Sequence, residues 1–137
     1  MREQIVTALT QHPYVLEAYL FGSQARGEAR RMSDVDVAVY LDPELTPDKP
    51  FGIAAELAAD LIGALGRNDV DLVILNDAPP LLYHRVLRDG ERLLSRDLAR
   101  TTTREGQALS RYLDWKPQLE KFERAQQLRI ARGEFGK

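Results

Sequence analysis

Leu20-Phe21-Gly22-Ser23 and, after ten intervening residues, Asp34-Val35-Asp36-Val37-Ala38-Val39-Tyr40-Leu41 are the two halves of the stretch that decides the fold. The first half reads as a strand running into a turn. Glycine there lets the backbone approach a ligand closely, and a turn of backbone N–H groups with a serine hydroxyl can hold phosphate oxygens. The second half is rich in Val and Tyr and reads as a strand. Residues two apart on a strand share a face, so Asp34 and Asp36 point the same way, about 6 to 7 Å apart along it. Val35, Val37 and Val39 form the opposite face, and the charged face continues as Ala38 and Tyr40, which gathers both carboxylates at one end of the strand. Hard cations such as Mg²⁺ take oxygen ligands, usually one or two carboxylates together with substrate phosphates. Either half alone has a plainer reading, as a turn or as the wet face of a sheet; in combination they form one coherent site.

Chemistry of this kind calls for a third carboxylate, because two metal ions about 3.5 to 4 Å apart need shared ligands and the attacking hydroxyl must lose its proton. Asp71 is the candidate. It lies in Val70-Asp71-Leu72-Val73-Ile74-Leu75, an apolar run of strand length, where an isolated acid is costly unless paired or metal-bound. If this strand neighbours Val35 to Leu41, the strand spacing of about 4.8 Å brings Asp71 beside the first pair.

Outward from these strands, Arg2 to Gln11 carries Ile5, Val6 and Leu9 at helical spacing, and Pro13 precedes a strand over Val15 to Phe21. Asp42 to Pro50 is a Pro-rich linker. Phe51 to Leu65 repeats Ile53, Leu57, Leu61 and Leu65 on one helical face, with Gly66 as its stop. Asn76 to Pro80 reads as a turn, and Tyr83 to Leu87 with Arg92 to Ser95 reads as a hairpin around Asp89-Gly90. Leu98 to Leu113 and Gln118 to Arg132 read as two helices, interrupted at Asp114-Trp115-Lys116-Pro117 because proline limits a continuous helix. His12 and His84 stand outside any metal-ligand spacing and read as structural or surface residues. The fold class expected is α/β (α+β): a small mixed sheet flanked by helices, with a C-terminal helical tail.

At 137 residues the chain is one domain with room for a real core, and 44% hydrophobic with 29% charged residues is ordinary for a soluble protein. The expected organisation is a core over residues 1–97 and a helical extension of the same domain over 98–137. The sequence has no cysteine, which excludes disulfides and thiolate metal sites. With no apolar run of about 18 residues and no signal-like start, a soluble cytoplasmic protein that does not enter a membrane is expected. The net charge of −2 is unevenly spread. Residues 1–97 carry ten Lys/Arg against sixteen Asp/Glu, net −6, and residues 98–137 carry nine against five, net +4. An acidic body suits divalent cations; a basic tail could meet an acidic protein or nucleic acid, or be a solvated helix. The large apolar residues of that tail, Leu109, Tyr112, Leu113, Trp115, Leu119 and Phe122, either fold back as core or form a partner surface.

Gly22-Ser23-Gln24-Ala25-Arg26-Gly27, Asp34-Val35-Asp36 and the later Asp71 strand together resemble the DNA polymerase β-type nucleotidyltransferase superfamily, and among its members the minimal nucleotidyltransferase (MNT) antitoxins. The match covers about residues 14 to 95. The resemblance implies a polymerase-β-like nucleotidyltransferase fold with Gly22 and Ser23 on the nucleotide phosphates, Asp34 and Asp36 as metal ligands and Asp71 as the third carboxylate, all three being catalytic. Arg26 matches the arginine of the Gly-Ser-x-Ala-Arg-Gly variant and is implied in phosphate binding. ATP is the implied substrate, with Mg²⁺, two ions, as cofactor. The antitoxins resembled are paired with HEPN-domain ribonuclease toxins, so the resemblance implies transfer of AMP to a toxin tyrosine within a hetero-oligomer, without direct nucleic-acid binding. Two alternatives use the same residues differently: a non-catalytic antitoxin acting by occlusion, and a small-molecule, aminoglycoside-type nucleotidyltransferase, for which the chain lacks a substrate domain.

Overall fold

The strand Val15–Phe21, β1, organises the molecule in a computed structural model that describes residues 1–22, 34–47 and 52–131. β1 pairs antiparallel with β2 (Val35–Leu41) on one side and with β4 (Glu91–Ser95) on the other, and β2 pairs parallel with β3 (Val70–Ile74). Among the described residues the sheet order is β3-β2-β1-β4, a small mixed sheet as expected. The parallel pair needs a crossover, and α2 (Ile53–Leu65) supplies it. Its end is set by Gly66, whose φ of +67° is the left-handed C-cap and whose N–H donates to the Ile62 carbonyl.

Strand alternation divides the core in two. Val35, Val37 and Val39 of β2 face α1 (Arg2–Thr10) and α2, where Ile5, Leu9, Leu57 and Leu61 are fully buried against them. Ala38 and Tyr40, on the other face, pack with Tyr19, Val73 and the third helix, α3 (Pro80–Asp89), through Tyr83 and Val86. The same face carries a polar network: Arg104 of α4 (Leu98–Ala131) grips the fully buried Glu17 with two hydrogen bonds, 2.8 and 2.5 Å, and stacks over Tyr40 at 4.9 Å. Burying a carboxylate costs several kcal/mol unless it is paired and hydrogen-bonded, so this pair fixes how α4 sits on the sheet.

Two expectations are corrected. Tyr83 to Leu87 is part of α3 and not a hairpin strand; Pro80 opens the helix at a position where its missing N–H costs nothing, and Tyr83 and Val86, three apart, share its buried face. β4 accordingly pairs with β1. Nor does Pro117 divide the tail, because α4 runs unbroken from Leu98 to Ala131. Proline removes one bond and crowds the carbonyl four residues before it, that of Leu113; both residues are exposed, so water can satisfy the freed carbonyl. A smaller difference concerns the second helix, which starts at Ile53, with Phe51 outside the described residues.

Candidate nucleotidyl-transfer site

The candidate residues converge on one end of the sheet because the strand registers place them there. Phe21, the last residue of β1, lies opposite Asp36 of β2, and Asp36 lies beside Asp71 of β3. Asp34 stands two residues before Asp36 at the entrance to β2. That entrance is held by the Val35 N–H, which donates to the Asp69 carbonyl at 2.8 Å. The far end of β2 is held by Asn76, whose side chain bonds both the N–H and the carbonyl of Leu41 at 2.9 and 2.7 Å. The strand carrying the acids is therefore fixed at both ends.

Gly22 leaves β1 with φ +74°, a region open to glycine and strained for other residues. A Cβ on Gly22 would collide with the Asp36 carboxylate, so the turn and the acid are in direct apposition. Ser23 and Arg26 lie outside the described residues.

Asp36 is half-buried, while Asp34 and Asp71 are exposed. Burial raises the proton affinity of the Asp36 carboxyl above the ordinary range, and the charges of Asp71 and then Asp34 raise it further. Asp36 thus feels the charge of both other acids, although among the described residues no three acidic or histidine side chains close into a ligand cage. A concentration of like charge with hard oxygen donors is what a divalent cation relieves, so the residues suit Mg²⁺.

Between α3, β4 and α4 lies a cavity of about 570 Å³ lined by Tyr19, His84, Leu87, Arg88 and Arg92 among others and by none of the three acids, a volume within the range of small-molecule sites. Tyr19 donates to Glu105 at 2.7 Å, and Glu105 also accepts from Arg92 at 2.8 Å. Sequence reasoning missed this network and the Glu17–Arg104 pair, since partners more than eighty residues apart leave no local spacing. An acid at Glu17 inside an otherwise apolar strand was the available signal. Of the two histidines, His12 bonds Asp60 and Tyr14, and His84 stacks on Tyr112 with ring centroids 3.7 Å apart.

A mixed sheet that sets a glycine turn directly against paired strand carboxylates defines a nucleotidyl-transfer domain. The chain belongs to the polymerase beta nucleotidyltransferase family, whose model matches residues 3–99. A curated relative, the protein adenylyltransferase MntA of Aphanizomenon flos-aquae, is 34% identical over 98 residues; the alignment covers 66% of this chain and 64% of that protein. The chain thus spans less than two thirds of that relative's length. Among solved structures, a toxin–antitoxin crystal structure with AMP-PNP contains a chain 29% identical, with TM-score 0.76, covering 90% of this chain and 96% of that one. A chain in the complex of a tri-AMPylated Shewanella oneidensis HEPN toxin with MNT antitoxin is 26% identical, with TM-score 0.70, covering 90% and 93%. Among the described residues no helix is long and apolar enough to cross a membrane.

Proposed function

We propose that this chain is an antitoxin-type protein adenylyltransferase that moves AMP from ATP to a tyrosine hydroxyl of a HEPN ribonuclease toxin and so neutralises it. The observation that carries the reading is the apposition of Gly22 with Asp36 at the end of the sheet where Asp71 is its register partner. The adenylyltransferase relative and the antitoxin seen with a tri-AMPylated HEPN toxin supply the substrate class.

Asp34, Asp36 and Asp71 are the residues that would hold Mg²⁺, two ions in this reading, whose charge would offset that of the triphosphate and the departing pyrophosphate. The Gly22 turn would receive the phosphates, with Ser23 and Arg26 as the further residues assigned to them. The tyrosine oxygen bonds to the α-phosphorus as the bond to pyrophosphate breaks, in line with it. Asp71 orients the hydroxyl and accepts its proton; a phenol with pKa near 10 needs such help at neutral pH. The setting is the cytoplasm.

The test is incubation of the chain and its HEPN partner with Mg-ATP, followed by intact-mass measurement. One or more added AMP groups on the partner are expected, lost with Asp36→Asn. An unmodified partner, or full modification by the Asp36→Asn variant, would overturn the reading.

A further inference from the structure

The face by which α4 packs on the sheet does not stop where the sheet stops. Thr101, Glu105, Ala108 and Tyr112 contact the core through, in turn, a bond to Ser95, a bond to Tyr19, burial and the stack on His84. These positions alternate by four and three, and the same alternation continues through Trp115, Leu119, Phe122 and Gln126. That is the a/d pattern of a helix with a partner helix. Yet among the described residues neither core cluster includes any α4 residue beyond Ala108, and Phe122 is 61% exposed. A 34-residue helix is about 50 Å long, so the part from Leu113 onward projects by about 28 Å. Along its seam Phe122 is exposed while Trp115 and Leu119 are half-buried, and among the described residues none of the three belongs to either core cluster.

The charges beside the seam indicate the occupant. Lys116 and Glu123 lie seven residues apart, each directly following a d position, and so flank the same side of the seam. In an antiparallel pairing of two identical helices related by a two-fold axis, Lys116 of one copy meets Glu123 of the other, and Glu123 meets Lys116. A closed two-fold interface requires this kind of self-complementarity. A parallel pairing would set Arg111 against Lys116, a like-charge contact that disfavours it. Pro117 is exposed, on the side away from the seam, where its ring obstructs nothing.

We infer that the projecting half of α4 is a homodimerisation surface that takes the same segment of a second copy of this chain in antiparallel register, with Leu119 and Phe122 at its centre and Lys116–Glu123 pairs at its rim. This stands independently of the proposed AMP transfer, since it uses none of the residues at the carboxylate end.

Size-exclusion chromatography with light scattering on the full chain reads it directly. A concentration-dependent dimer is expected, with Trp115, the sole tryptophan, shifting its emission to shorter wavelength as dimer forms. Leu119→Glu should give a monomer with unchanged helical circular dichroism. Lys116→Glu and Glu123→Lys should each weaken the dimer by on the order of tenfold, and the double swap or an equimolar mixture of the two singles should restore it. A chain monomeric at all concentrations, a dimer indifferent to Leu119→Glu, or swaps that the double variant does not rescue would each overturn the proposal. So would a monomer whose binding to a HEPN partner is abolished by Leu119→Glu, since the seam would then belong to that partner.

Discussion

Gly22 and the Asp36 carboxylate are in direct apposition, with no room for a β-carbon between them. Gly22 also has φ +74°, so alanine there faces two penalties: about 1 to 2 kcal/mol for the left-handed backbone and displacement of Asp36 from its place beside Asp71. The second penalty falls on function. Shifting a reacting group by about 1 Å can cost on the order of 100-fold in rate, so Gly22→Ala should lose about that much of the proposed AMP transfer while its urea midpoint falls only modestly. Equal activity in the folded variant would show that the apposition is incidental.

Asp36 is destabilising where it stands. It is half-buried beside Asp71 and Asp34, and burial and like charge both oppose its ionisation. In metal-free buffer at neutral pH, Asp36→Asn should therefore raise the melting temperature by a few degrees while abolishing transfer, the trade expected of a strained functional group. Mg²⁺ should stabilise the unaltered protein more than the variant. Scanning calorimetry with and without the cation checks both parts; a variant less stable than the parent in metal-free buffer would contradict the account.

The Glu17–Arg104 pair should show the asymmetry of a buried ion pair. Removing Arg104 alone leaves a fully buried carboxylate without its partner, at about 3 to 5 kcal/mol, whereas Glu17→Leu with Arg104→Met keeps the volume and removes both charges. Denaturant unfolding should find Arg104→Ala severely destabilised and the double variant close to the parent. If the two are equally destabilised, the polar pair is contributing more than mutual compensation.

Stability should fail early in alkali. Burial, foremost, lifts the Tyr83 phenol to about 12 and lifts Tyr19 further, with the Glu105 hydrogen bond adding to the effect at Tyr19. The unfolded chain ionises these groups near 10, so the folded state holds protons that the unfolded state has released. Their contribution is complete below pH 10 and declines as pH rises from 10 toward 12. Tyrosine ultraviolet titration should show these phenols ionising only as circular dichroism reports unfolding. Ionisation near pH 10 in a folded protein would refute the burial.

The strand pattern and the grouping of the acids were legible because both are local. Alternation over Val35 to Leu41 named the two faces correctly, and the apolar run around Asp71 named its strand. Misread elements were those for which tertiary context outweighed local preference. Tyr83 to Leu87 is short enough to suit a strand or a helix, and contact with Tyr19 and Ala38 favours the helix. Pro117 costs a helix about 3 kcal/mol, but a 34-residue helix anchored by Arg104 and Glu105 carries it on an exposed face. Long-range pairing of Glu17 with Arg104 has no periodic signature at all. The roles of Gly22, Ser23, Arg26 and the three acids rest on proposal and on the variants above.

Gly90 offers a test of how far from the acids the site can be disturbed. It joins α3 to β4 at the end of β1, and a β-carbon there would press on the Val86 carbonyl, the Leu20 carbonyl at 3.1 Å and the Phe21 β-carbon at 3.2 Å. Two of these neighbours are backbone, which cannot rotate away, so relief requires moving β1 relative to the α3–β4 junction. Overpacking of this kind costs about 1 to 3 kcal/mol. The displaced segment, Leu20 to Phe21, leads directly into Gly22 and faces Asp36 across the sheet. Gly90→Ala should therefore lower both the unfolding midpoint and the rate of the proposed AMP transfer, although Gly90 is not among the proposed site residues. Gly63, on the helix of the opposite layer, has open space where a β-carbon would stand, and Gly63→Ala is the matched control, expected to be neutral or slightly stabilising. Loss of stability in Gly90→Ala with transfer fully retained would mean that the turn at Gly22 is positioned independently of the β4 side of the sheet.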